Sequence, residues 1–584
     1  MLGQEAPATR PAFTVLLSPG VAPCTVHVNG LTIAPQAGTP LTAHYDWDFG
    51  DPRGRFDKLS GFNAAHTYNF PGQYTIALLL TDEAGHQITA SATVTITADT
   101  RHRVFVAPEG SDMNTGTSPD TPYQSLARAF KAMPNDGELL LRAGATYNVT
   151  SSLHLNRRDV LIGRFGDGPD PVVMRIKGNG TSTFSLDKNC DGVTVEHITF
   201  DSPNAVGDNQ EAPKVGAIGV LCSGSSRNIT VRNCTFRNVD DGVNANGKPT
   251  GLLVQDCSAP LVTGVRGYLI WGEGTDHVYL GNSAANSTRE HNVRLSGVQR
   301  VLIDSNHFAN LDRHDVDKYD GSKGCIEMHR GEFAWISHND VTGGTIRVGP
   351  RGGQFEGPES VTEWCVIDAN ALTNTGILAY GGSRHIMVRN NIIRWDGNTA
   401  IVINGAPTSE DITIVHNTAI NNGELGAFFR LWGHVNGITL SNNLFVAPNL
   451  KPGSHGSSAV GIDETDLASF SEISHNVWPD PGSEKGMCII GTGKSGGGLV
   501  SAQQWSSFSV VKQDRFANVT VDDRGVPQAG SAAEGYAVPT RAVTHDYTGR
   551  PRPLGERTVG ALEPGLPPAT HPAPVPSPGT PGEG

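Results

Sequence analysis

Short runs in which apolar and polar residues alternate recur along most of the chain, and they predict β-strands rather than helices. The runs VTVEHITF (193–200), VLIDSNHF (301–308) and ITIVHNTA (412–419) share one pattern: a strand, a polar turn and a second short strand. A unit that recurs every 20–50 residues or so is typical of a solenoid, in which each repeat forms one coil. We therefore predict a β-rich solenoid of at least eleven coils, one for each repeat that we align.

One position in the turn shows how the repeats align. Asparagine occupies this position in seven consecutive coils, and the earlier coils have small or apolar residues there. The column is Ile198, Cys234, Cys257, Ser283, Asn306, Asn339, Asn370, Asn391, Asn417, Asn443 and Asn476. Stacked asparagine side chains hydrogen-bond from coil to coil and satisfy backbone groups at the corner. We expect Cys234 and Cys257 to be small buried thiols in this column.

The spacing within this column predicts where loops leave the solenoid. Most intervals are 21–26 residues, but those that start at 198, 306, 339 and 443 are 36, 33, 31 and 33 residues long. Extra residues in a solenoid form loops, and such loops tend to lie on the binding face. We expect two of them, residues 309–324 and 349–362, to roof a groove.

A second strand precedes each of these strands, and it carries most of the unusual polar residues. In EHNVRLSG (290–297), alternation points Val293 and Leu295 inward and Arg294 outward. The same rule, applied to successive coils, predicts one outward ladder with Glu290 and Glu327 beside its first rungs. The ladder consists of Arg294, His329, Arg347, Tyr380, Asn404 and Arg430.

Charge and composition narrow the classes of function. The net charge is −14, which argues against general nucleic-acid binding. Residues 289–351 nevertheless hold nine Lys/Arg, nine Asp/Glu and five of the 20 histidines, so this region is neutral. A groove that is less negative than its surroundings attracts an anionic sugar. We therefore expect an anionic polysaccharide as the partner.

We find no sequence pattern typical of a membrane span, a signal peptide or a cysteine zinc site. No apolar run reaches the 18 residues or so that a membrane span needs. The first residues, MLGQEAPATRPAF, lack the basic and apolar regions of a signal peptide, so none is expected in this chain. The eight cysteines include no CxxC pair, and we expect no zinc site from them.

Residues 12–98 carry two specific motifs, YDWDFGDP (45–52) and HTYNFPGQYTIALLLTDEAG (66–85). Both resemble the conserved segments of a PKD domain. The resemblance implies a PKD-like (Ig-like) β-sandwich that serves as an extracellular spacer or binding module and carries no catalysis.

Two further segments resemble parts of secreted, pectin-lyase-like proteins with a right-handed parallel β-helix. VFVAPEGSDMNTGTSPDTPYQSLARAF (104–130) resembles their opening segment, and HDYTGRPRPLGERTVGALE (545–563) resembles their closing segment. The resemblance implies an all-β chain that works outside the cytoplasm, secreted or at the cell surface. It also implies a β-helix domain over residues 102–563. Within this domain we expect a cap at about 104–133, repeats at about 160–480 and a closing segment at 499–563. A Pro-rich, disordered tail is expected at 564–584.

The elements around the charged strand follow the order found in β-helix polysaccharide lyases of the alginate lyase and chondroitinase B type. Those enzymes have an E-x-I-x-x-K-S strand, an N-x-F turn and an R-H-G strand, and this chain has EHNVRLSG, SNHFANL and IEMHRG. Arg294 is the residue nearest to the family's lysine base, and His329-Arg330-Gly331 stands at R-H-G. Of the family's paired acidic calcium ligands this chain keeps Glu290, so the resemblance implies Ca²⁺ with Glu290 as its ligand.

The residue types fit β-elimination from a uronide, which needs a neutralised carboxylate, a base for the C5 proton and a donor for the leaving oxygen. Arg294 and Arg347 suit the carboxylate, and His329 suits the base. Tyr380 or Arg330 could donate the proton. Glu290 and Glu327 are the remaining catalytic candidates. The predicted substrate-binding residues are Arg289, His291, Lys323, Arg347, Arg351, Asn404, Arg430, Trp432 and Trp271.

Two other functions stay open at this point. A glycoside hydrolase needs two carboxylates about 5–10 Å apart, and Glu290 and Glu327 with Asp312 or Asp315 could supply them. A non-catalytic, glycan-binding surface protein is the third alternative, because outward charges often form only a solvated face or cross-strand ion pairs. His329 could likewise serve only to hold the 309–324 loop. We expect a monomeric polysaccharide lyase-like enzyme.

Overall fold

A computed structural model gives the fold, and 52% of the chain is strand and 3% is helix. The predicted all-β class is therefore confirmed. Within the described ranges, neither helix is long and apolar enough to cross a membrane. The structure describes residues 12–17, 20–176, 181–202, 217–260, 267–285, 287, 290–310, 324–350, 361–395, 397, 399–406, 409–463, 467–480, 486–491, 498–540, 543–553 and 555–564.

An N-terminal sandwich consists of two antiparallel sheets with three and four strands. Alternating apolar side chains, Tyr45 and Trp47 among them, fill the space between the sheets. The indole N–H of Trp47 donates a hydrogen bond to the carbonyl of Gly61 at 2.9 Å. The strands are Thr14–Leu17, Cys24–Asn29, His44–Asp48, Lys58–Ser60, Asn63–Tyr68, Gly72–Thr81 and Gln87–Ile96.

The rest of the chain forms a parallel β-helix, and one of its three faces, the ladder face, has fourteen strands. This number exceeds the eleven coils predicted as a minimum. The strands of the ladder face are Thr146–Val149, Val172–Arg175, Thr199–Asp201, Thr235–Arg237, Ser258–Ala259, Ser283–Ala284, His307–Ala309, Asp340–Thr342, Ala371–Thr373, Ile392–Trp395, Thr418–Asn421, Leu444–Val446, Val477–Trp478 and Arg515–Phe516.

The other two faces, the groove face and the flank face, belong to one sheet, because three long strands run through both: Ile270–Leu280, Val293–Asp304 and Ile326–Ser337. The groove face has Leu153–Leu155, Ser182–Leu186, Ile218–Cys222, Val243–Ala245, Ile346–Val348, Ile377–Ala379, Thr399–Asn404, Gly426–Trp432, Ser457–Ile462 and Cys488–Ile490. The flank face has His102–Val106, Gly137–Arg142, Arg158–Phe165, Asp191–Glu196, Arg227–Arg232, Thr250–Gln255, Thr362–Asp368, Ser383–Arg389, Glu410–Val415, Asn436–Ser441, Phe470–Ser474 and Val511–Lys512. Gly498–Val500 pairs antiparallel with Cys488–Ile490.

Each coil turns from the flank face to the ladder face through a residue with positive φ, such as Ser305 at 58°. A buried asparagine follows. The N–H and the Nδ2 of Asn306 donate to Oδ1 of Asn339 at 3.0 and 2.9 Å, and Nδ2 also donates to the carbonyl of Tyr279 at 3.0 Å. Equivalent side-chain bonds link Asn282, Asn306, Asn339, Asn370, Asn391, Asn417, Asn443 and Asn476. These bonds satisfy the backbone at a corner that water does not reach.

The row of asparagines is one coil longer than the sequence indicated. Asn282 occupies the position that we assigned to Ser283, since its Oδ1 accepts from the N–H of Cys257 at 3.0 Å. Asp514 ends the row by accepting from Nδ2 of Asn476 at 3.0 Å. Cys257 and Cys234 are buried free thiols that donate to backbone carbonyls, as we expected.

The N-terminal sandwich packs against the flank face. An outward column of apolar side chains crosses six coils there, and it joins the core of the sandwich. The rings of Trp335 and Phe62 meet edge to face with centroids 5.2 Å apart. The column has Thr230 before it and Thr413 after it. Its members are Leu253, Val278, Leu302, Trp335, Val366 and Met387.

Other segments cover the first coils and the turns of the later ones. The helix Leu126–Ala132 packs Phe130 against Phe184 with ring centroids 4.9 Å apart. The short helix Ala502–Ser507 precedes the last coil and buries Trp505. Residues 537–540, 543–553 and 555–563 then return along the turns, where Nη2 of Arg552 donates to Oδ1 of Asn390 at 2.9 Å.

Candidate active site

The groove face presents its outward residues in two parallel columns and not in the single ladder that we predicted. Strand pairing aligns Arg294 with Glu327, and Glu327 with Arg347. His329 lies two residues beyond Glu327, so it belongs to the neighbouring column. The first column runs Asn244, Trp271, Arg294, Glu327, Arg347, Leu378, Val402 and Arg430. Our single ladder was wrong because it mixed residues of these two columns.

Glu327 is the centre of a buried polar cluster in this groove. Its Oε1 lies 3.1 Å from Nε2 of His329, and its Oε2 contacts Nε2 of His291. Nη1 of Arg347 donates to both carboxylate oxygens at 3.2 Å. The exposed fractions are 1% for Glu327 and Arg347, 4% for His291 and 5% for His329. Alternation predicted that Glu327, His329 and Arg347 point away from the core, and it did not predict this for His291; neighbouring groups shield all four from solvent.

The contacts with Glu327 fix which nitrogen of each imidazole carries a proton. An ionised carboxylate only accepts hydrogen bonds, so both Nε2 atoms are N–H donors when the rings are neutral. Nδ1 of His291 lies 2.8 Å from the backbone nitrogen and 3.1 Å from the carbonyl oxygen of Gly324, so the contact with Glu327 decides the tautomer of this ring. The lone pair of His329 is therefore on Nδ1, the atom that can accept a proton.

The electrostatics of the cluster keep Glu327 ionised and His329 neutral. Burial alone would raise the pKa of Glu327, but the hydrogen bond from His291 and the charges around it lower that pKa to about 2. Burial lowers the pKa of His329 to about 4, and Arg294 and Arg347 add to this effect against the opposing charge of Glu327. His329 is therefore neutral near pH 7, and burial contributes more to this than the two arginines do.

One coil before the cluster, Arg294 lies between two aromatic rings. Its Nη1 donates to Oη of Tyr268 at 2.8 Å. Its guanidinium carbon is 5.7 Å from the ring centroid of Tyr268 and 5.5 Å from that of Trp271. Arg294 is only half-buried and contacts no carboxylate among the described residues. It is therefore better placed than the buried, ion-paired Arg347 to meet the carboxylate of a substrate.

The remaining predicted residues extend along the groove. The guanidinium of Arg347 lies 5.1 Å from the ring centroid of Tyr380. Asn404 pairs with Trp432, and the guanidinium of Arg430 lies 4.2 Å from the ring of Trp432. Asn404, Arg430 and Trp432 are half-buried and lie three to four coils beyond Glu327. The structure therefore does not bring them into the cluster.

Several predicted residues do not take part in the described cluster. Glu290 is half-buried near Tyr268, and its charge contributes to the raised pKa of that phenol, whose main cause is burial. Arg330 lies over Gly297. The residues that fall outside the described part of the chain are Arg289, Lys323, Arg351, Asp312 and Asp315, together with most of the two loops that we expected as a roof.

The donor set decides which metals the cluster suits. Calcium requires six to eight oxygen ligands or so, and Glu327 is surrounded by two imidazoles and a guanidinium, so this cluster does not suit calcium. The calcium that the resemblance implied at Glu290 stays a prediction. One donor atom each from His291, Glu327 and His329 lie within 4.8 Å of one another, a spacing that a zinc ion accepts. The guanidinium of Arg347 already neutralises the carboxylate, and we interpret the cluster as a proton-handling site.

Sequence reasoning missed two residues of this groove. Tyr268 precedes the strand that carries Trp271, and its N–H donates to Oδ1 of Asp241 at 3.1 Å. Glu273 is half-buried, and burial raises its pKa against the charges of Lys248, Arg330 and Arg294. Alternation from Trp271 points Glu273 outward, so the sequence did contain a signal for it.

A separate cleft of about 860 Å³ lies between the N-terminal sandwich and the flank face. Trp335 and His338 contribute to its wall. Its acidic groups have partners: Oδ2 of Asp304 is 2.8 Å from Nδ1 of His338, and Asp368 accepts from Nε of Arg389 at 2.8 Å. We therefore place the candidate chemistry in the groove and not in this cleft.

Comparison with known families agrees with the two predicted domains. Residues 16–98 match the model of the PKD domain, and residues 262–446 match the model of the right handed beta helix region. The chain thus carries an N-terminal PKD domain followed by a right-handed β-helix. No curated protein matches the sequence.

Solved structures similar to this chain include polysaccharide-active enzymes. An exopolygalacturonase of family 28 from Yersinia enterocolitica is 11% identical with a TM-score of 0.43, and the match covers 88% of this chain and 100% of that one. The alginate lyase AlyF-OU02 is 13% identical with a TM-score of 0.41 over 74% and 92%. PfbA, a surface adhesin of Streptococcus pneumoniae, is 15% identical with a TM-score of 0.30 over 51% and 85%.

Proposed function

We propose that this protein is an extracellular enzyme that cleaves an acidic, uronic-acid-containing polysaccharide by β-elimination in the groove of its β-helix. One observation carries the proposal: a neutral imidazole, His329, is held by the ionised carboxylate of Glu327 one coil from the half-buried arginine Arg294. An oriented base beside a free cation is what removal of a proton next to a carboxylate requires. We further propose that the protein acts as a monomer.

Each group has a defined part in this reaction. Arg294 pairs with the uronate carboxylate, which makes the C5 proton more acidic and binds the charge that develops as the proton leaves. Nδ1 of His329 takes that proton. The imidazolium that results is stabilised by Glu327, whose carboxylate accepts the N–H of Nε2. Arg347 and His291 hold Glu327 in place and are positioning residues.

Hydrolysis by the carboxylates that we first considered has less support. A general acid must be protonated before it reacts, and the pKa of Glu327 is lowered to about 2. Its two oxygens are also occupied by His291, His329 and Arg347. Glu327 therefore suits the role of an anchor for the base better than the role of an acid in hydrolysis.

Incubation of the purified chain with a panel of uronic-acid polysaccharides tests the proposal. β-Elimination leaves a C4=C5 double bond conjugated with the carboxylate, which absorbs in the ultraviolet, and it produces one new reducing end for each such bond. We expect both signals in equal amounts from at least one acidic polymer. New reducing ends without the absorbance would assign a hydrolase, and binding with neither signal would assign a glycan-binding protein; each result would overturn the proposal.

A further inference from the structure

Glu273 and His329 face each other across a short stretch of small residues. The coil that contains Ser296 and Gly297 lies between their two coils. Gly272 pairs with Leu295 and Gly274 with Val298, so Glu273 stands opposite Ser296 and Gly297. On the other side, Leu295 pairs with Met328 and Ser296 with Arg330, which places His329 opposite Leu295 and Ser296, so that Ser296 lies between Glu273 and His329.

This arrangement leaves a space of defined length. Two inter-strand steps separate the backbones of Glu273 and His329, about 10 Å. Ser296 is buried and Gly297 has no side chain, so the middle coil itself fills little of this space, and the side chain of Arg330 lies over Gly297. Gly297 has a φ of 86°, a conformation that disfavours any other residue. The interval is the size of one sugar ring with its flanking glycosidic oxygens.

Two arginines border this space. Arg294 is on the middle coil, and Arg330 lies so close to Gly297 that a Cβ there would be 3.4 Å from its Nε. Nε of Arg294 and Nε of Arg330 have no hydrogen-bond partner among the described residues. A uronate over Ser296 and Gly297 would bring its carboxylate to these guanidiniums.

We propose that Glu273 is the catalytic acid that protonates the leaving oxygen. This role rests on the proposed β-elimination. His329 removes the proton from C5, and the electron pair of that C–H bond forms the C4=C5 double bond. The bond between C4 and the glycosidic oxygen breaks, and the oxygen keeps the electron pair and takes the proton of Glu273. The products are an unsaturated uronide, a new hydroxyl group, a Glu273 carboxylate and an imidazolium, and solvent returns the proton from His329 to Glu273.

Glu273 suits this role better than the two donors that the sequence suggested. A guanidinium such as that of Arg330 does not release its proton in proteins. Tyr380 is two coils from His329 on the opposite side, where Arg347, the cation 5.1 Å from its ring, is already paired with Glu327. The half-buried Arg294 lies on the side of Glu273, so a substrate held by Arg294 is nearer to Glu273. The raised pKa of Glu273 keeps more of it protonated than an ordinary glutamate.

The test compares Glu273→Gln with the parent protein on two substrates. One is the acidic polymer, and the other is a uronide with 2,4-dinitrophenoxide at C4, a leaving group that needs no proton. We expect a loss of roughly 10²–10⁴-fold on the polymer and a near-parental rate on the activated uronide. Glu332→Gln is the matched control, because Glu332 is on the strand of His329, two coils from Glu273, and contacts Gln299 outside the site.

Equal losses of rate on both substrates would show that Glu273 binds the substrate or supports the fold. No loss on either substrate would show that Glu273 has no part in the reaction. Either result overturns the inference and leaves the proposed β-elimination intact. Glu273→Asp, which keeps an acid, should recover part of the polymer activity, and a failure to do so would also count against the role. A parental protein that forms no unsaturated product from either substrate would instead overturn the proposed function, and the acid role with it.

Discussion

Nε2 of His329 lies 3.1 Å from Oε1 of Glu327, and both side chains are almost completely buried. The two residues are on one strand, two positions apart, so they share the outward side of the groove face. Because the carboxylate only accepts hydrogen bonds, the contact makes Nε2 the protonated nitrogen and leaves the lone pair on Nδ1. This pairing defines a base that is neutral at physiological pH and whose conjugate acid is stabilised by a fixed anion.

Replacement of Glu327 by glutamine should change the acid stability of the whole chain. The pKa of Glu327 is about 2 in the folded protein and about 4.5 in an unfolded chain. A lowered pKa contributes stability that is complete above about 4.5 and disappears as the pH falls to about 2, and here that contribution is about 3 kcal/mol. Thermal unfolding followed against pH should show the parent more stable than Glu327→Gln at neutral pH and the two curves converging in acid. Parallel curves would contradict the account.

The two arginines next to Glu327 should respond differently to substitution. Arg294→Gln should reduce kcat/KM for an acidic polymer by about 10–100-fold with little change in thermal stability, since its one hydrogen-bond partner among the described residues is the neutral phenol of Tyr268. Arg347→Gln should lower both stability and activity, because it leaves the buried carboxylate of Glu327 without its cation. Arg300→Gln is a control on the strand of Arg294, since its ion pair with Asp276 is on the flank face. If Arg294→Gln and Arg347→Gln lowered the thermal stability equally, the different roles assigned to the two arginines would be contradicted.

Much of this arrangement could be read from the sequence, because alternation depends only on local pattern. It assigned Val293 and Leu295 to the core, and both are buried. Alternation did not show which residues of successive coils share an outward column of the groove face. Extra residues near Ser296 shift the register between coils, and such bulges leave no clear mark in the sequence. The cluster of His291 with Glu327 could not be predicted either, because it depends on contacts between coils that are far apart in the chain.

The docking of the N-terminal sandwich is a second feature that the sequence contained and that we did not use. Outward positions of the flank face hold threonine at 230 and 413 but apolar residues in the six coils between them. Contiguous apolar residues on an outward face indicate a covering partner. A resemblance to domains that act as spacers suggested a separate module, and the structure instead joins its core to the β-helix.

Trp335→Ala should therefore weaken both domains at once. Trp335 is buried between Phe62 of the sandwich and Arg389 of the β-helix. Truncation of a buried tryptophan costs about 3–5 kcal/mol. We expect calorimetry to show a single unfolding transition, at a lower temperature than in the parent protein. The control is Thr413→Ala, at the next position of the column beyond the sandwich, which should leave the unfolding temperature unchanged. Separate transitions for the two domains in the parent protein would show that the contact does not couple them.

Asn370→Ala should test how much the corner hydrogen bonds stabilise the β-helix. Its Oδ1 accepts from the backbone and the side chain of Asn339, and its Nδ2 donates to the carbonyl of Ile336 at 2.9 Å. Loss of these partners leaves several buried groups unsatisfied, and we expect a decrease of about 3 kcal/mol in the free energy of unfolding. Denaturant titration measures this value, with the exposed Asn436→Ala as the control. A decrease as small as that of the control would mean that other groups satisfy the corner.

The most direct test of the central claim is the rate of formation of unsaturated product by His329→Gln. Glutamine keeps an N–H for Glu327 but cannot take up a proton, so turnover of an acidic polymer should fall by roughly 10²–10⁴-fold while the thermal unfolding temperature stays close to that of the parent. His154→Gln, an exposed histidine on the groove face several coils away, should retain the parental rate. If His329→Gln forms the unsaturated product at the parental rate per folded molecule, His329 is not the base and the account is contradicted.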